Sequence, residues 1–165
     1  MAMTLRESVH LVSDPENLDA SVEEVFRLML GVDCKRQAVA WKLEEHSHEE
    51  LVTAVVGFGG ALSGACFLRC SAGTAMKFVA QMTGLEFPEL DDTVQDGLGE
   101  ICNMLAGAWK GKVPKLNAQC SLSVPTVIAG RDYNLHVHKP EFEMSHTYSY
   151  QDDRFSVTIV CDGMQ

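Results

Sequence analysis

Residues 91–114 read DDTVQDGLGEICNMLAGAWKGKVP, and how this stretch folds sets the architecture of the whole chain. At about 100° per residue, Val94, Leu98, Ile101, Leu105 and Trp109 fall in one sector, the pattern of an amphipathic helix laid on a core. Asp92 is the expected N-cap, with Gln95 three residues on completing a capping box. On the opposite side, spacings of four and three keep Asp96, Glu100 and Asn103 in one strip along the axis. Gly97, Met104 and Gly107 lie near that strip. Glycine inside a helix costs roughly 1 kcal/mol against alanine, so its repeated use needs a return. A surface without bulky side chains, flanked by an adaptable methionine, suits close approach of another protein. An isolated string of this kind is ordinarily a solvated face; the surrounding glycines move the reading toward a docking surface on a rigid element.

Outward from this helix the chain alternates between helical and extended patterns. Toward the N-terminus, SDPENLDASVEEVFRLMLG predicts a helix with Asp14 as N-cap, Pro15 at its first position, Gly31 as its stop, and Leu18, Val22, Val25 and Met29 as its apolar stripe. The stretch RQAVAWKLEEHSHEELVTAVVGFGGALSGACFLRCS reads as extended chain. Within it LVTAVVGFG and ALSGACFLRC form an expected antiparallel hairpin about a Gly-Gly turn. AGTAMKFVAQMTG is a short helix closed by Gly84. Beyond the opening helix, LNAQCSLSVPTVIAG, YNLHVHK, FEMSHTYSY and DRFSVTIVCDG favour strands by alternation and by β-branched or aromatic content. The order predicts an α+β fold, long helices packed on a largely antiparallel sheet, as one domain over residues 1–165.

The two halves also echo each other. Asp19, Glu23 and Phe26 take the same relative positions as Asp96, Glu100 and Asn103, and each helix is followed by strands. On this alignment the first copy carries Phe where the second carries Asn.

Composition narrows the partners. With 13 Lys and Arg against 23 Asp and Glu, the chain lacks the concentrated basic surface that nucleic acid or anionic lipid demands. No window reaches the roughly 18 apolar residues of a membrane-spanning helix, and MAMTLRESVHLVSDPE lacks the apolar centre of a signal peptide. A cytoplasmic protein acting on a protein or small ligand is expected. The six cysteines are scattered, without a C-x-x-C pair, inside apolar runs, and are read as free buried thiols.

Asp96, Glu100 and Asn103, with Pro125 downstream in VPTVIAG, resemble the CheC/CheX family of chemotaxis phosphatases, and within it the single-site CheX-like members. The shared pattern is Asp or Ser, then E-x-x-N, then a proline. Here 21 residues separate Asn103 from Pro125, one fewer than the family spacing. The resemblance implies a CheC-like fold of two pseudo-repeated halves. It further implies hydrolysis of the aspartyl-phosphate on a CheY-like response regulator, which carries its own Mg²⁺, so that no cofactor is expected on this chain. Asn103 would orient the attacking water and Glu100 would pair with a cation of the regulator. Asp96, with Met104 and Gly107, would form the rim that meets the partner, and Pro125 would be a structural element of the motif. The helix carrying Phe26 would be inactive, and the protein would form a homodimer through its sheet edges. The competing reading is a module that binds the phosphorylated regulator, or scaffolds another signalling protein, without hydrolysing it.

Other motifs are weaker. His46 with His48, and His136 with His138, would share a face on strands, but no third metal ligand is specified and none is assigned. VVGFGGALSG lacks the Walker lysine and the strand-to-helix context of a phosphate loop. Lys110, Lys112 and Lys115 complement the C-terminal helix dipole, with attraction to an acidic partner as the alternative. Cys102 lies nearer the core stripe than the polar strip and is not taken as a nucleophile.

Overall fold

The computed structural model describes residues 9–41 and 48–165. A single turn, α1 (Val9–Val12), leads into α2 (Pro15–Leu30). The latter starts and stops as its caps dictate: the Asp14 carboxylate accepts from the Glu16 N–H at 3.0 Å, and Gly31 ends the helix at φ +68°. After the two-residue strand β1 (Lys35–Arg36) comes the hairpin of β2 (Leu51–Gly60) and β3 (Leu62–Ser71). Its turn needs glycine: Gly60 has φ +103°, and a Cβ there would collide with the Gln119 carbonyl. The Ser71 hydroxyl then caps α3 (Ala72–Thr83), accepting from the Thr74 N–H at 3.1 Å. The remaining elements are α4 (Asp92–Gly111), α5 (Pro114–Gln119), β4 (Cys120–Leu122), β5 (Thr126–Gly130), β6 (Phe142–Tyr150) and β7 (Asp153–Met164).

All the strands join one antiparallel sheet in the order β1-β6-β7-β3-β2-β4, with β5 following β4 along the same edge of β2. Alternation decides which side is buried. Val52, Ala54, Val56 and Phe58 of β2, Cys66, Leu68 and Cys70 of β3, and Phe155, Val157 and Ile159 of β7 face the helices. Against them lie Val94, Leu98, Ile101, Leu105 and Trp109 of α4, each 0–1% exposed, as the stripe predicts. Phe26 of α2 stacks on Phe155 at 4.7 Å and meets Phe78 of α3 edge-on at 5.2 Å.

Each long helix is followed by a hairpin, α2 by β2–β3 and α4 by β6–β7, and the hairpins join through β3 and β7 at the sheet centre. The pseudo-repeat is therefore present, but its register differs from the one expected. Leu18, Val22, Val25, Phe26 and Leu30 match Val94, Leu98, Ile101, Cys102 and Ala106 in burial, at an offset of 76 (94 − 18), not the 77 (96 − 19) that pairs Asp19 with Asp96. Phe26 is thus a core residue equivalent to Cys102. Ala20, Glu24 and Arg27 occupy the positions of Asp96, Glu100 and Asn103.

Other local expectations also change. The N-cap of α4 is Asp91, whose carboxylate accepts from Val94 N–H at 2.9 Å, so the Asp92–Gln95 capping box does not form. LNAQCSLSVPTVIAG is not one strand: Pro114 opens α5, and β4 and β5 are separated at Ser123–Pro125. YNLHVHK keeps its alternation without strand pairing, Tyr133, Leu135 and Val137 turned inward and His136 and His138 exposed. In the run expected to be extended before β2, residues 37–41 and 48–50 form no strand, and residues 42–47, His46 among them, lie outside the described residues.

Candidate functional site

The glycines of α4 have separate tasks. A Cβ on Gly97 would lie 2.6 Å from a Val79 methyl, so this glycine admits α3 and does not belong to the polar strip as expected. A Cβ on Gly99 would lie 3.2 Å from the Pro125 ring, so this one admits the start of β5. Gly107 and Gly111 open outward: a Cβ on Gly107 would have Leu122 Cδ1 as its nearest neighbour at 4.0 Å, and one on Gly111 would meet nothing within 4 Å.

Pro125 reaches Gly99 because β4 and β5 break between them. Along β2, Phe58 pairs with Leu122 and Val55 with Thr126, so Val56 and Gly57 oppose the three residues Ser123, Val124 and Pro125. Ser123 pins this bulge: its N–H donates to the Gly57 carbonyl at 2.9 Å and its hydroxyl accepts from the Gly57 N–H at 2.8 Å. Proline, which has no N–H to donate, suits the break. The proline thereby packs one helical turn before Asn103, and Val124 beside it stands 85% exposed. Sequence reading missed both the Gly99–Pro125 contact and Val124, because a bulge leaves no signature in hydropathy.

On the outer side of α4, Asp96 and Glu100 are exposed, while Asn103 and Gly107 are half-buried. Met104 is half-buried against the core. Among the described residues, the side chains of Asp96, Glu100 and Asn103 make no hydrogen bond or ion pair. The equivalent strip on α2 is spent internally. Glu24 pairs with Lys112 at 2.7 Å, and Arg27 pairs with Glu23 at 2.7 Å and Asp33 at 2.9 Å. Two carboxylates and an amide held at fixed spacing on a buried helix, with no partner of their own, can act on a group brought by another molecule.

The neighbouring groups are accounted for structurally. Lys110 Nζ donates to the Asn117 and Cys120 carbonyls at 3.1 and 2.6 Å, tying α5 to the end of α4, and Lys112 holds α2. Cys102 is fully buried, its thiol within 3.5 Å of the Ala54 and Cys66 carbonyls. The Cys66 thiol is held well above its usual range by its hydrogen bond with Cys102 and by burial. Neither thiol serves the strip. Among the described residues no three His, Cys, Asp or Glu side chains converge as metal ligands, and no helix is long and apolar enough to cross a membrane.

Residues 52–147 match the family described as chemotaxis phosphatase CheX. The chain is 34% identical over 122 residues to the CheY-P phosphatase CheX of Thermotoga maritima, covering 72% of this chain and 76% of that one. Its fold is similar to chemotaxis protein CheX from Vibrio vulnificus, with a TM-score of 0.74 at 23% identity, covering 89% of this chain and 95% of that one. It is also similar to CheX of Borrelia burgdorferi in a CheX–CheY–BeF3–Mg²⁺ complex, with a TM-score of 0.72 at 20% identity, covering 90% and 97% of the two chains. A helix-and-hairpin pseudo-repeat, with a free Asp-Glu-Asn strip on its second helix and a proline packed beneath it, belongs with these matches: the chain is a member of the chemotaxis phosphatase CheX family.

Proposed function

We propose that this protein accelerates hydrolysis of the aspartyl-phosphate of a CheY-like response regulator, with Asn103 orienting the attacking water and Glu100 engaging a cation of the regulator. The observation that carries this reading is the strip itself: Glu100 and Asn103 are unpartnered on α4, while the matching positions of α2 are consumed by ion pairs. Family membership, and the CheY-P phosphatase named among its relatives, support the same chemistry.

An acyl phosphate has a good leaving group, and the regulator supplies the Mg²⁺ that steadies its phosphoryl oxygens, so the helper need only place water in line with phosphorus. The amide of Asn103 offers both an acceptor and a donor, and stays neutral at any working pH. Water oxygen bonds to phosphorus as the bond to the aspartyl oxygen breaks. The products are inorganic phosphate and the free carboxylate, with the water's proton released to solvent or phosphate. Glu100, one turn away, forms a charge-assisted contact with the regulator that holds the helix in register. Asp96 and Gly107 complete the rim, with Met104 beside them. A convex helix suits this task, because the reacting group lies in the partner's pocket and the catalyst has to enter it. The working protein is cytoplasmic and pairs through a sheet edge. β6 is paired with β7 along its length, but on its other edge β1 covers only Lys35↔Ser149 and Arg36↔Tyr148, leaving much of that outer edge without a strand partner among the described residues.

The decisive measurement is phosphate release from an acyl-phosphorylated receiver domain with and without the protein. Asn103→Ala is expected to return decay to the unassisted rate, while its circular dichroism and melting temperature stay close to the parent's. Unchanged acceleration by that variant would refute the assignment. Binding by the parent protein without faster release would establish the non-catalytic binding module instead.

A further inference from the structure

The outer face of the sheet, away from the helices, is crossed by two segments outside the strands. Residues 131–139 run from β5 to β6. The Tyr133 hydroxyl shares a hydrogen bond with Thr53 Oγ1 at 2.7 Å, and its carbonyl accepts from Arg69 Nη2 at 2.9 Å. Residues 37–41 attach to Thr147, the Gln37 N–H donating to its carbonyl at 2.7 Å and the Trp41 N–H to its hydroxyl at 2.9 Å. Between the two segments lies a cleft of about 550 Å³, within the usual size of small-molecule sites.

Strand register fixes the floor of this cleft. Arg69, Ser156 and Thr147 lie in one row across β3, β7 and β6, and Phe67, Thr158 and Ser145 lie in the next. The Ser145 and Thr158 hydroxyls bond each other at 2.8 Å. The Arg69 guanidinium lies 4.9 Å from the Tyr133 ring centroid, and no carboxylate among the described residues pairs with it. Its Nε is buried without a hydrogen-bond partner. A buried donor left unmade is costly and rare in folded proteins, and points to a group that completes it. Glu143 lines the cleft one row beyond Phe67 and disfavours an anion at that end. In a chain of net charge −10, the cleft offers an uncompensated cation at one end and apolar walls from Trp41, Leu135 and Val137.

We propose that this cleft binds a small organic oxyanion, a carboxylate or phosphate monoester with a flat apolar body. The anion would lie beside Arg69 and the hydroxyls of its row, and the body between Phe67 and the two crossing segments. This site is on the opposite side of the sheet from Glu100 and Asn103 and does not depend on the phosphatase reading.

The test is a titration of the isotopically labelled full chain with phenyl phosphate, benzoate and inorganic phosphate. The signals followed are the Arg69 Nε–H and the Trp41 indole N–H. Both should shift saturably with each aryl anion, and binding should weaken about tenfold or more for inorganic phosphate and in Arg69→Met. Ser156→Phe, which fills the floor beside Arg69 while leaving its charge in place, should abolish binding, and it decides the matter where Arg69→Met does not fold. Both variants should retain the parent's rate of regulator dephosphorylation. Absence of saturable shifts, equal affinity for inorganic phosphate, or undiminished binding by Ser156→Phe would each overturn the proposal. So would shifts that follow protein concentration and not added anion, the mark of a second copy seated on the cleft.

Discussion

Glu100 and Asn103 sit three residues apart on one helix face, and the proposed function gives them different physical jobs, so under it their variants should fail differently. On that proposal Asn103 acts on a water that matters only in the transition state, and its loss is a loss of rate. Glu100, on the same proposal, acts through charge on the bound regulator. Its replacement by Gln should raise KM for the phosphorylated regulator about tenfold, equivalent to about 1.4 kcal/mol. The replacement should also flatten the salt dependence of kcat/KM, with kcat changing less than KM. Stopped-flow decay at several salt concentrations reads both; a fall confined to kcat would move Glu100 from docking into the chemistry. The residue types and spacing of this pair were legible in the sequence. Their freedom was not, because the competing partners that consume Glu24 and Arg27 on α2 come from the end of α4, the same helix face and the loop after α2.

At the scale of the element, α4 shows why identical residues need opposite tests. Gly97 lies against Val79, and Gly97→Ala should destabilise by about 1–3 kcal/mol through overpacking. Adding Val79→Ala should recover part of that loss, since it removes the methyls a new Cβ would strike. A Cβ on Gly107 would meet only Leu122 Cδ1, at an unstrained 4.0 Å, so Gly107→Ala should stabilise by about 0.5–1 kcal/mol through helix propensity. Chemical denaturation of the three variants checks the ordering; a Gly97→Ala protein as stable as the parent would mean that α3 does not approach so closely. The apolar stripe of α4 was fully legible, since a period of 3.6 is a property of sequence. The N-cap slipped from Asp92 to Asp91 because adjacent acidic residues offer the same chemistry one position apart. α5 was misread as strand, although Pro114 at its first position carried a usable helix signal.

For the molecule as a whole, the thiols, buried except for the half-buried Cys34, and the Tyr148 phenol shape the response to alkali. Unfolded thiols ionise near 9.0, whereas burial pushes folded Cys161 up to about 11, and burial with Asp33 nearby pushes Cys34 up to about 12. Tyr148, pushed upward by burial and then by its hydrogen bond to Asp19, adds to this. Above pH 9.0 the unfolded chain therefore holds fewer protons than the folded one, and stability falls as pH rises through the window to about 12. Thermal melts should show a decline through that window, with a smaller slope in Cys34→Ser. A melting temperature that rose between pH 9 and pH 11, taken as the lower part of that window, would contradict it. Assembly belongs to this scale too. A proline at Ser145, on the uncovered stretch of β6, should shift the mass seen by light scattering from dimer toward monomer; a parent protein already monomeric at working concentration would remove the edge-pairing proposal. By itself the sequence determined the α+β class, the two amphipathic helices, the central hairpin and the motif residues, because each rests on local periodicity, caps or turn chemistry. Only tertiary structure decided the one-residue register of the pseudo-repeat, the seating of Pro125 on Gly99, and the cleft beneath residues 131–139. Those features depend on which distant surfaces come into contact, and contact between surfaces far apart along the chain is fixed by packing, not by the pattern of any one segment.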